Sequence, residues 1–235
     1  MKPFFSWLIT LIYPERCFVC GRVIPWQTQV CRECEEKAPY ILPPVCSLCG
    51  RGEERCTCVR HARTFERCVS PFYFEGALHT GIWELKSTGG RPYVNGFALE
   101  MEEVIRREYG GISFDMITAV PLFSEDEYFR GFNPAALLAK ELAKALSVPY
   151  VPALVKLVHT LPQKELTAAR RAGNLLGAFD VAEDVNGKTV LVVDDVITTG
   201  STLEECAKML KLHGAEEVYG VTAAAAVLLK EKNGV

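Results

Sequence analysis

No apolar run in this sequence is long enough to cross a bilayer. The opening segment, residues 4–13, is apolar enough to resemble a signal peptide, but it is too short to span a membrane. No small-residue cleavage site follows it before Pro14. We therefore expect a cytoplasmic protein without a transmembrane segment. Residues 4–13 are expected to form an amphipathic helix that docks on the protein body, on a partner or peripherally on a membrane.

The sequence also lacks a strong charge of either sign. It carries 26 Lys and Arg against 29 Asp and Glu, a net charge of −3. Residues 1–65 hold nine basic and six acidic side chains, whereas the remainder holds 17 and 23. This modest basic bias permits contact between the N-terminal part and nucleic acid or phosphate, but an ordinary solvated surface explains it equally well.

Cysteine is scarce after residue 58, where only Cys68 and Cys206 occur. The other eight of the ten cysteines fall in close pairs, which argues against a secreted disulfide framework and favours two four-thiolate zinc sites in a small zinc-ribbon unit. Cross-braced pairing, a redox dithiol or a single occupied site are the alternatives. The predicted ligand sets are Cys17, Cys20, Cys31 and Cys34, and Cys46, Cys49, Cys56 and Cys58.

A Walker phosphate loop is absent, but another strand–loop–helix pattern is present. Apolar residues from Thr189 to Val193 predict a strand buried on both faces and closed by Asp194 and Asp195. The loop Thr198-Thr199-Gly200-Ser201-Thr202 then leads into a helix that ends near Gly214. Its hydroxyls, its glycine and the helix N-terminus suit a phosphate, and the two carboxylates suit the hydroxyls of a ribose.

This segment closely resembles the phosphoribosyl-pyrophosphate (PRPP) motif of type I phosphoribosyltransferases. The resemblance implies an α/β domain with a parallel sheet, in which Asp194 and Asp195 bind the ribose and residues 198–202 bind the 5′-phosphate. We place this domain at residues 65–235, after a helix and double zinc ribbon at residues 1–64. Its further elements are predicted at Phe65–Phe74 (strand), Gly76–Lys86 and Val94–Tyr109 (helices), Phe114–Pro121 (strand), Pro134–Leu146 (helix) and Val151–Val158 (strand).

Shorter motifs, taken in order along nearly the whole chain, are similar to those of the ComF competence family. They are the paired cysteines, Leu85-Lys86 before glycines, Val120-Pro121-Leu122, Arg130-Gly131-Phe132-Asn133, Pro162-Gln163 and Asn174-Leu175-x-Gly177-Ala178-Phe179. The resemblance implies a role in natural transformation, in which incoming single-stranded DNA is handled. Members are commonly labelled phosphoribosyltransferases, although their acceptor is generally unassigned.

Together these patterns define a predicted site. Asp194, Asp195 and Arg130 are the expected catalytic residues. Lys164 and Arg170 are further candidates for stabilising a diphosphate. The residues expected to bind the substrate are Val193, Asp194, Asp195, Thr198, Thr199, Gly200, Ser201, Thr202, Lys86, Pro121, Arg130, Gln163 and Arg171.

Two departures from the family pattern touch the diphosphate side of this site. The loop before Arg130 is usually basic but reads Ser124-Glu125-Asp126-Glu127 here, and Pro134 replaces the usual Gln. These two departures do not change the expectation that PRPP binds. Fast transfer of the phosphoribosyl group is a separate question, because both departures lie on the diphosphate side.

Two functions of different classes follow. The first is an enzyme that transfers a phosphoribosyl group from PRPP and releases pyrophosphate, with Mg²⁺ held mainly by the diphosphate and the ribose hydroxyls. The second is a non-catalytic competence factor that handles single-stranded DNA or senses PRPP, with DNA-uptake machinery such as a helicase as a partner. Trp26, Phe18 and Tyr40 could stack on bases in that case, or instead form the small core of the ribbon.

Overall fold

A computed structural model describes residues 14–58, 63–157 and 177–227 of the chain. None of the helices in these ranges is both long and apolar enough to cross a membrane. The segment 4–13, for which we predicted an amphipathic helix, lies outside the described residues.

The N-terminal part contains little regular structure. Within residues 14–58 it has one short helix, α1 (Arg32–Lys37), and one 3₁₀ turn at Glu53–Arg55. Reverse turns at the cysteine pairs fold the chain back on itself, as when the Cys17 N–H donates to the Arg22 carbonyl and the Cys46 N–H to the Arg51 carbonyl. This is the geometry expected of metal-binding knuckles.

The rest of the chain builds a parallel sheet covered by helices. The strands are β1 (Arg67–Val69), β2 (Phe72–Tyr73), β3 (Met116–Ala119), β4 (Leu154–Lys156), β5 (Phe179–Val181), β6 (Thr189–Ile197) and β7 (Glu217–Ala225). The order in the sheet is β1-β7-β6-β3, and β2 continues the line of β1 along β7. Strands β4 and β5 form a separate antiparallel pair.

Among the described residues, five helices follow α1. They are α2 (Leu78–Thr88), α3 (Arg91–Glu108), α4 (Ser124–Arg130), α5 (Pro134–Leu146) and α6 (Ser201–Leu212). Side chains from α2, α3 and α5 share one buried cluster with Leu191 and Val193 of β6. Those of α6 share a second cluster with Val190 and Val192. The sheet is therefore covered on both faces, as the apolar run in β6 predicted.

Strand β6 is longer than predicted. It continues through Asp194 and Asp195 to Ile197 because β7 pairs with it along its whole length, including Asp194 with Thr222 and Ile197 with Ala225. The two aspartates thus lie inside the strand, near its carboxyl end. Their backbone is fixed by the sheet before any ligand binds.

The predicted strand Phe65–Phe74 is two short strands, β1 and β2. Pro71 lies between them, and proline has no N–H to donate to a ladder. The gap is bridged by side chains instead, since the hydroxyls of Ser70 and Thr222 lie 2.6 Å apart.

The ribbon part shares its core with the sheet part. Phe18 is 2% exposed and its ring packs edge-on against Phe97 of α3, with 5.1 Å between ring centroids. The close approach of Phe18 requires a glycine in each of the helices α2 and α3. A Cβ atom on Gly81 would lie 2.1 Å from the Phe18 carbonyl oxygen, and one on Gly96 would lie 2.3 Å from the Phe18 ring.

Candidate functional site

The carboxyl ends of β3 and β6 lie side by side at one edge of the sheet. The Val120 N–H donates to the Val193 carbonyl at 2.9 Å, which holds the segment beginning at Pro121 next to the aspartates. Ligands of open parallel sheets bind outside this edge. The predicted residues Val193, Pro121, Asp194 and Asp195 are therefore brought together at the expected place.

Asp195 forms an ion pair with Lys86 of α2. The distance between Lys86 Nζ and Asp195 Oδ1 is 2.8 Å, and the side chains are 37% and 18% exposed. Lys86 is the last residue of the predicted helix Gly76–Lys86 and precedes a glycine turn. Its partner is a carboxylate of β6, more than a hundred residues later in the chain. A lysine that is still partly exposed in this pair remains accessible to an anionic ligand at the same edge.

Asp194 lies in a more apolar environment than Asp195. Burial, followed by repulsion from Asp195, raises the pKa of the Asp194 carboxyl from 3.8 to about 7, while the Asp195 N–H and the charge of Lys86 oppose the shift. The Asp195 N–H donates to Asp194 Oδ1 at 2.8 Å. On the far side, burial and then the charge of Asp194 raise the pKa of the Cys206 thiol.

The raised pKa of Asp194 predicts a pH-dependent stability. The folded state binds the proton more tightly than the unfolded state, so this stabilising contribution is complete below about pH 4 and is lost as pH rises through about 7. The Asp194→Asn variant lacks this pH-dependent contribution to stability. Because Asp194 keeps some contact with solvent, we expect the variant to gain about 1 kcal/mol relative to the parent between pH 5.5 and 8.

Urea unfolding of the parent and of Asp194→Asn across that range measures the difference directly, because the titration of other groups cancels. Asp184→Asn, at an exposed aspartate before β6, serves as the control variant. Parallel pH profiles for the parent and Asp194→Asn would show that Asp194 has an ordinary pKa.

The loop after β6 has the geometry of an anion site. Gly200 adopts a left-handed conformation, with φ of 81°, immediately before α6, where a residue with a side chain would be strained. The Thr199 and Ser201 hydroxyls lie 2.8 Å apart, and Ser201 and Thr202 form the first turn of α6. A helix N-terminus with hydroxyls beside it is a combination that suits a phosphate.

Arg130 is placed by a helix where we expected a loop. The segment Ser124–Arg130 forms α4 because its acidic residues occupy the first turn, where they favour the helix dipole, and Gly131 ends it in a left-handed conformation. Arg130 is the last residue of α4 and is exposed. The acidic run is therefore a helix start rather than an open loop.

Asn133 has a structural role that the sequence analysis missed. Its side-chain oxygen accepts from the Ala135 N–H at 3.0 Å and caps α5, while its amide nitrogen donates to the Val120 carbonyl at 2.9 Å. One side chain thus fixes both the start of α5 and the end of β3. The Asn-Pro start of a helix was a signal that could have identified it.

Two predicted segments of the site cannot be placed. Gln163 and Arg171, together with Lys164 and Arg170, lie outside the described residues. The diphosphate side of the site is therefore represented here by Lys86 and Arg130 alone among the predicted cations.

The eight N-terminal cysteines form two clusters. Each cluster combines two cysteine pairs that follow one another in the sequence. Within each cluster the ligand atoms lie within 4.8 Å of one another, and all ten cysteines of the chain are free thiols. The Sγ atoms of Cys20 and Cys31 are 3.8 Å apart, and those of Cys49 and Cys56 are 3.7 Å apart. A tetrahedral ion with Zn–S bonds of about 2.3 Å separates its sulphurs by about 3.8 Å, so both clusters fit zinc.

The surroundings of Cys46 in the second cluster favour its thiolate form. Burial would raise the pKa of the Cys46 thiol, but backbone N–H groups of Cys49 and Leu48 and neighbouring thiols lower it to about 7. Zinc is bound by the thiolate form, so this environment suits a ligand.

Two of the three aromatic residues considered for base stacking, Phe18 and Tyr40, are not available for it. Phe18 is buried, and Tyr40 packs on Phe72 with 4.6 Å between ring centroids and donates its hydroxyl to Glu100 at 3.2 Å. Trp26 is 56% exposed. The interpretation of these aromatics as core residues is correct for Phe18 and Tyr40.

Two family models match this chain. A phosphoribosyl transferase domain matches residues 133–233, and a double zinc ribbon domain matches residues 8–69. These matches agree with the parallel sheet and with the two cysteine clusters. The fold is thus a parallel-sheet α/β phosphoribosyltransferase fold with an N-terminal cysteine-rich, zinc-ribbon-like region.

Curated relatives include DNA utilization protein YhgH of Salmonella typhimurium, which is 33% identical over 86% of this chain and 86% of its own length. Competence protein F of Haemophilus influenzae is 43% identical over 44% of this chain and 47% of its own. Among solved structures, phosphoribosylpyrophosphate synthetase from Mycobacterium smegmatis has a TM-score of 0.35 and 21% identity. That match covers 57% of this chain and 34% of the synthetase.

Proposed function

The chain belongs to the ComF family, which includes DNA utilization protein YhgH and competence protein F, and from this premise we propose that it binds PRPP and transfers its phosphoribosyl group. The observation that supports this most is the carboxyl end of β6, where two aspartates precede a glycine loop and the N-terminus of α6. Carboxylates and a helix N-terminus side by side suit the ribose and the 5′-phosphate of one ligand.

In this proposal each group of residues has a separate task. Asp194 and Asp195 accept hydrogen bonds from the ribose hydroxyls, and residues 198–202 bind the 5′-phosphate. Lys86, Arg130, Gln163 and Arg171 contact the diphosphate, and Val193 and Pro121 line the edge of the sheet. Mg²⁺ prefers oxygen ligands, which the diphosphate and the ribose hydroxyls supply.

The transfer itself is a displacement at C1 of the ribose. The acceptor nucleophile forms the new bond to C1 while the bond from C1 to the diphosphate oxygen breaks, and pyrophosphate leaves with the electron pair. The protein contributes by positioning the ribose and by stabilising the negative charge on the leaving group, for which Arg130 is the proposed catalytic cation. The Lys86–Asp195 pair keeps the positive charge at the edge before the substrate arrives.

The N-terminal region, residues 1–64 in our division of the chain, is proposed to hold two structural zinc ions, one in each cluster. Thiolates that converge on zinc can replace a hydrophobic core in so short a segment. The domain that binds PRPP would then comprise residues 65–235.

A second candidate function is handling of single-stranded DNA, and the names of the relatives, DNA utilization protein and competence protein F, favour it. The modest basic charge of residues 1–65 and the exposed Trp26 would support it. DNA-uptake machinery would be the partner and the cytoplasm the place of action.

Titration calorimetry with PRPP in the presence and absence of Mg²⁺ tests the first function. We expect saturable PRPP binding that Mg²⁺ strengthens, and release of pyrophosphate once the correct acceptor is present in a screen of nucleobases and single-stranded oligonucleotides. Binding without release for every acceptor would favour the non-catalytic function. Absence of binding by the folded protein would contradict both PRPP proposals.

A further inference from the structure

One arginine of the ribbon region is buried against the loop of the candidate site. Arg51 lies between Cys49 and Cys56 of the second cluster and is 3% exposed. Its Nε donates to the Ala226 carbonyl at 3.0 Å, and one terminal nitrogen donates to the carbonyls of Ile197 and Thr198 at 3.2 and 2.6 Å. These carbonyls belong to the ends of β6 and β7 and the start of the loop.

Backbone carbonyls, rather than a carboxylate, accept the hydrogen bonds of the buried Arg51 guanidinium. Within the described part of the chain no carboxylate forms an ion pair with it, so backbone carbonyls are its hydrogen-bond acceptors. Burying a guanidinium is costly when no anion pairs with it, and well-formed hydrogen bonds to carbonyls offset only part of that cost. A buried arginine of this kind is expected where the backbone segment that it binds must keep one conformation.

Neighbouring residues of the same region hold the next part of the loop. A terminal nitrogen of Arg63 donates to the Thr199 carbonyl at 3.1 Å. The hydroxyl of Thr64 donates to the Glu204 carboxylate at 2.7 Å, which ties the first turns of α6 to the same segment. Three consecutive carbonyls, from Ile197 to Thr199, are therefore held from the ribbon side.

This arrangement determines where the loop amides point. In a trans peptide the N–H lies opposite the carbonyl of the preceding residue. When the carbonyls of residues 197–199 face the ribbon, the N–H groups of Thr198, Thr199 and Gly200 face away from it. Among the described residues no backbone carbonyl accepts a hydrogen bond from the Thr199 or Gly200 amide, and successive amides on one side form an anion-binding concavity.

We propose that Arg51 is a positioning residue for the 5′-phosphate of the ligand. It does not touch the substrate; it acts through the Ile197 and Thr198 carbonyls, which turn the loop amides toward the phosphate. The segment of the second cysteine cluster thus supports the ligand site from the side opposite the ligand. This inference rests on the proposed binding of PRPP.

The test compares Arg51→Gln with Arg55→Gln, an exposed arginine of the same ribbon that pairs with Glu75. Each protein is titrated with PRPP, with ribose 5-phosphate and with pyrophosphate, after its zinc content and melting temperature are checked. We expect Arg51→Gln to weaken PRPP and ribose 5-phosphate by about tenfold or more and to leave pyrophosphate unchanged. Arg51→Lys, which can reach one of the carbonyls, should restore part of the loss, and Arg55→Gln should resemble the parent.

Hydrogen exchange of the parent provides a measurement that needs no variant. Ribose 5-phosphate should slow exchange of the amides of residues 198–200. Unaffected amides, or equal affinity of the parent and Arg51→Gln for ribose 5-phosphate, would overturn the role of Arg51. An equal loss for ribose 5-phosphate and pyrophosphate would also overturn it, because general damage to the fold would explain that result. A parent that binds none of the three ligands would refute the proposed function itself.

Discussion

Replacement of both Asp194 and Asp195 by asparagine is expected to weaken PRPP binding by roughly a hundredfold or more. Each carboxylate that accepts a hydrogen bond from a ribose hydroxyl contributes roughly 1.5–3 kcal/mol, and about 1.4 kcal/mol is a factor of ten in affinity. The fold should remain intact because the apolar residues of β6, not its aspartates, form the two cores. Titration calorimetry of the folded variant, with thermal melting alongside, measures both effects.

The stability of this double variant provides an internal check. Loss of the partly exposed Lys86–Asp195 pair costs about 0–1 kcal/mol, while removal of the Asp194 charge relieves the desolvation that raises its pKa. We therefore expect a melting temperature at pH 8 that is at or above that of the parent. Asp184→Asn, at an exposed aspartate that precedes β6, is the matched control for affinity. Unchanged PRPP affinity in a double variant that melts normally would show that the ribose binds elsewhere.

Replacement of Cys49 by serine is expected to cause the largest loss of stability. Cys49 is 5% exposed and belongs to the second cluster. Structural zinc contributes roughly 10–16 kcal/mol of apparent binding free energy in isolated zinc-finger peptides, which is comparable to the whole stability of a domain, about 5–15 kcal/mol. The variant should contain one zinc ion per chain instead of two and should melt well below the parent.

Cys206→Ala is the matched control, since Cys206 is fully buried but lies in α6, outside both clusters. Metal analysis of protein purified under reducing conditions should find two zinc ions in this control and in the parent. Cys49→Ser with the full zinc content and the stability of the parent would contradict a metal role for the second cluster. Disulfides in the parent in place of zinc would contradict it for both clusters.

The features that could be predicted from the sequence are those with local signals. The cysteine pairs lie a few residues apart, and the strand, loop and helix of the site are continuous in sequence from Thr189 onward. The predicted helix Pro134–Leu146 has the same bounds in the structure. In each case the residues that define the element are neighbours along the chain, so their pattern alone carries the information.

Strand β7 shows why other parts were missed. Its first part contains the strand formers Val218, Tyr219, Val221 and Thr222, but its last three residues are alanines, which are poor strand formers. The alanines are nevertheless buried, and small side chains suit a strand that lies between β1 and β6 and is covered by helices. Tertiary packing therefore extends the strand beyond its locally favoured part.

Contacts between distant residues could not be predicted at all. Arg51 and Thr198 are 147 positions apart, and nothing in the ribbon sequence distinguishes Arg51 from the exposed arginines around it. The pairing of Lys86 with Asp195 is similar, because helix C-terminal lysines are common without a carboxylate partner. Such pairs depend on the chain topology, which a single sequence specifies only indirectly.

The position of β7 also has a consequence during synthesis of the chain. Ribosomes produce β1, β2, β3 and β6 before Glu217 emerges, yet β7 lies between β6 and the β1–β2 line. Until it emerges, these strands present unpaired edges, and unpaired edges favour aggregation of nascent chains. A ribosome that stalls shortly before Glu217 would therefore leave a polypeptide whose sheet cannot close, and its exposed strand edges would favour aggregation.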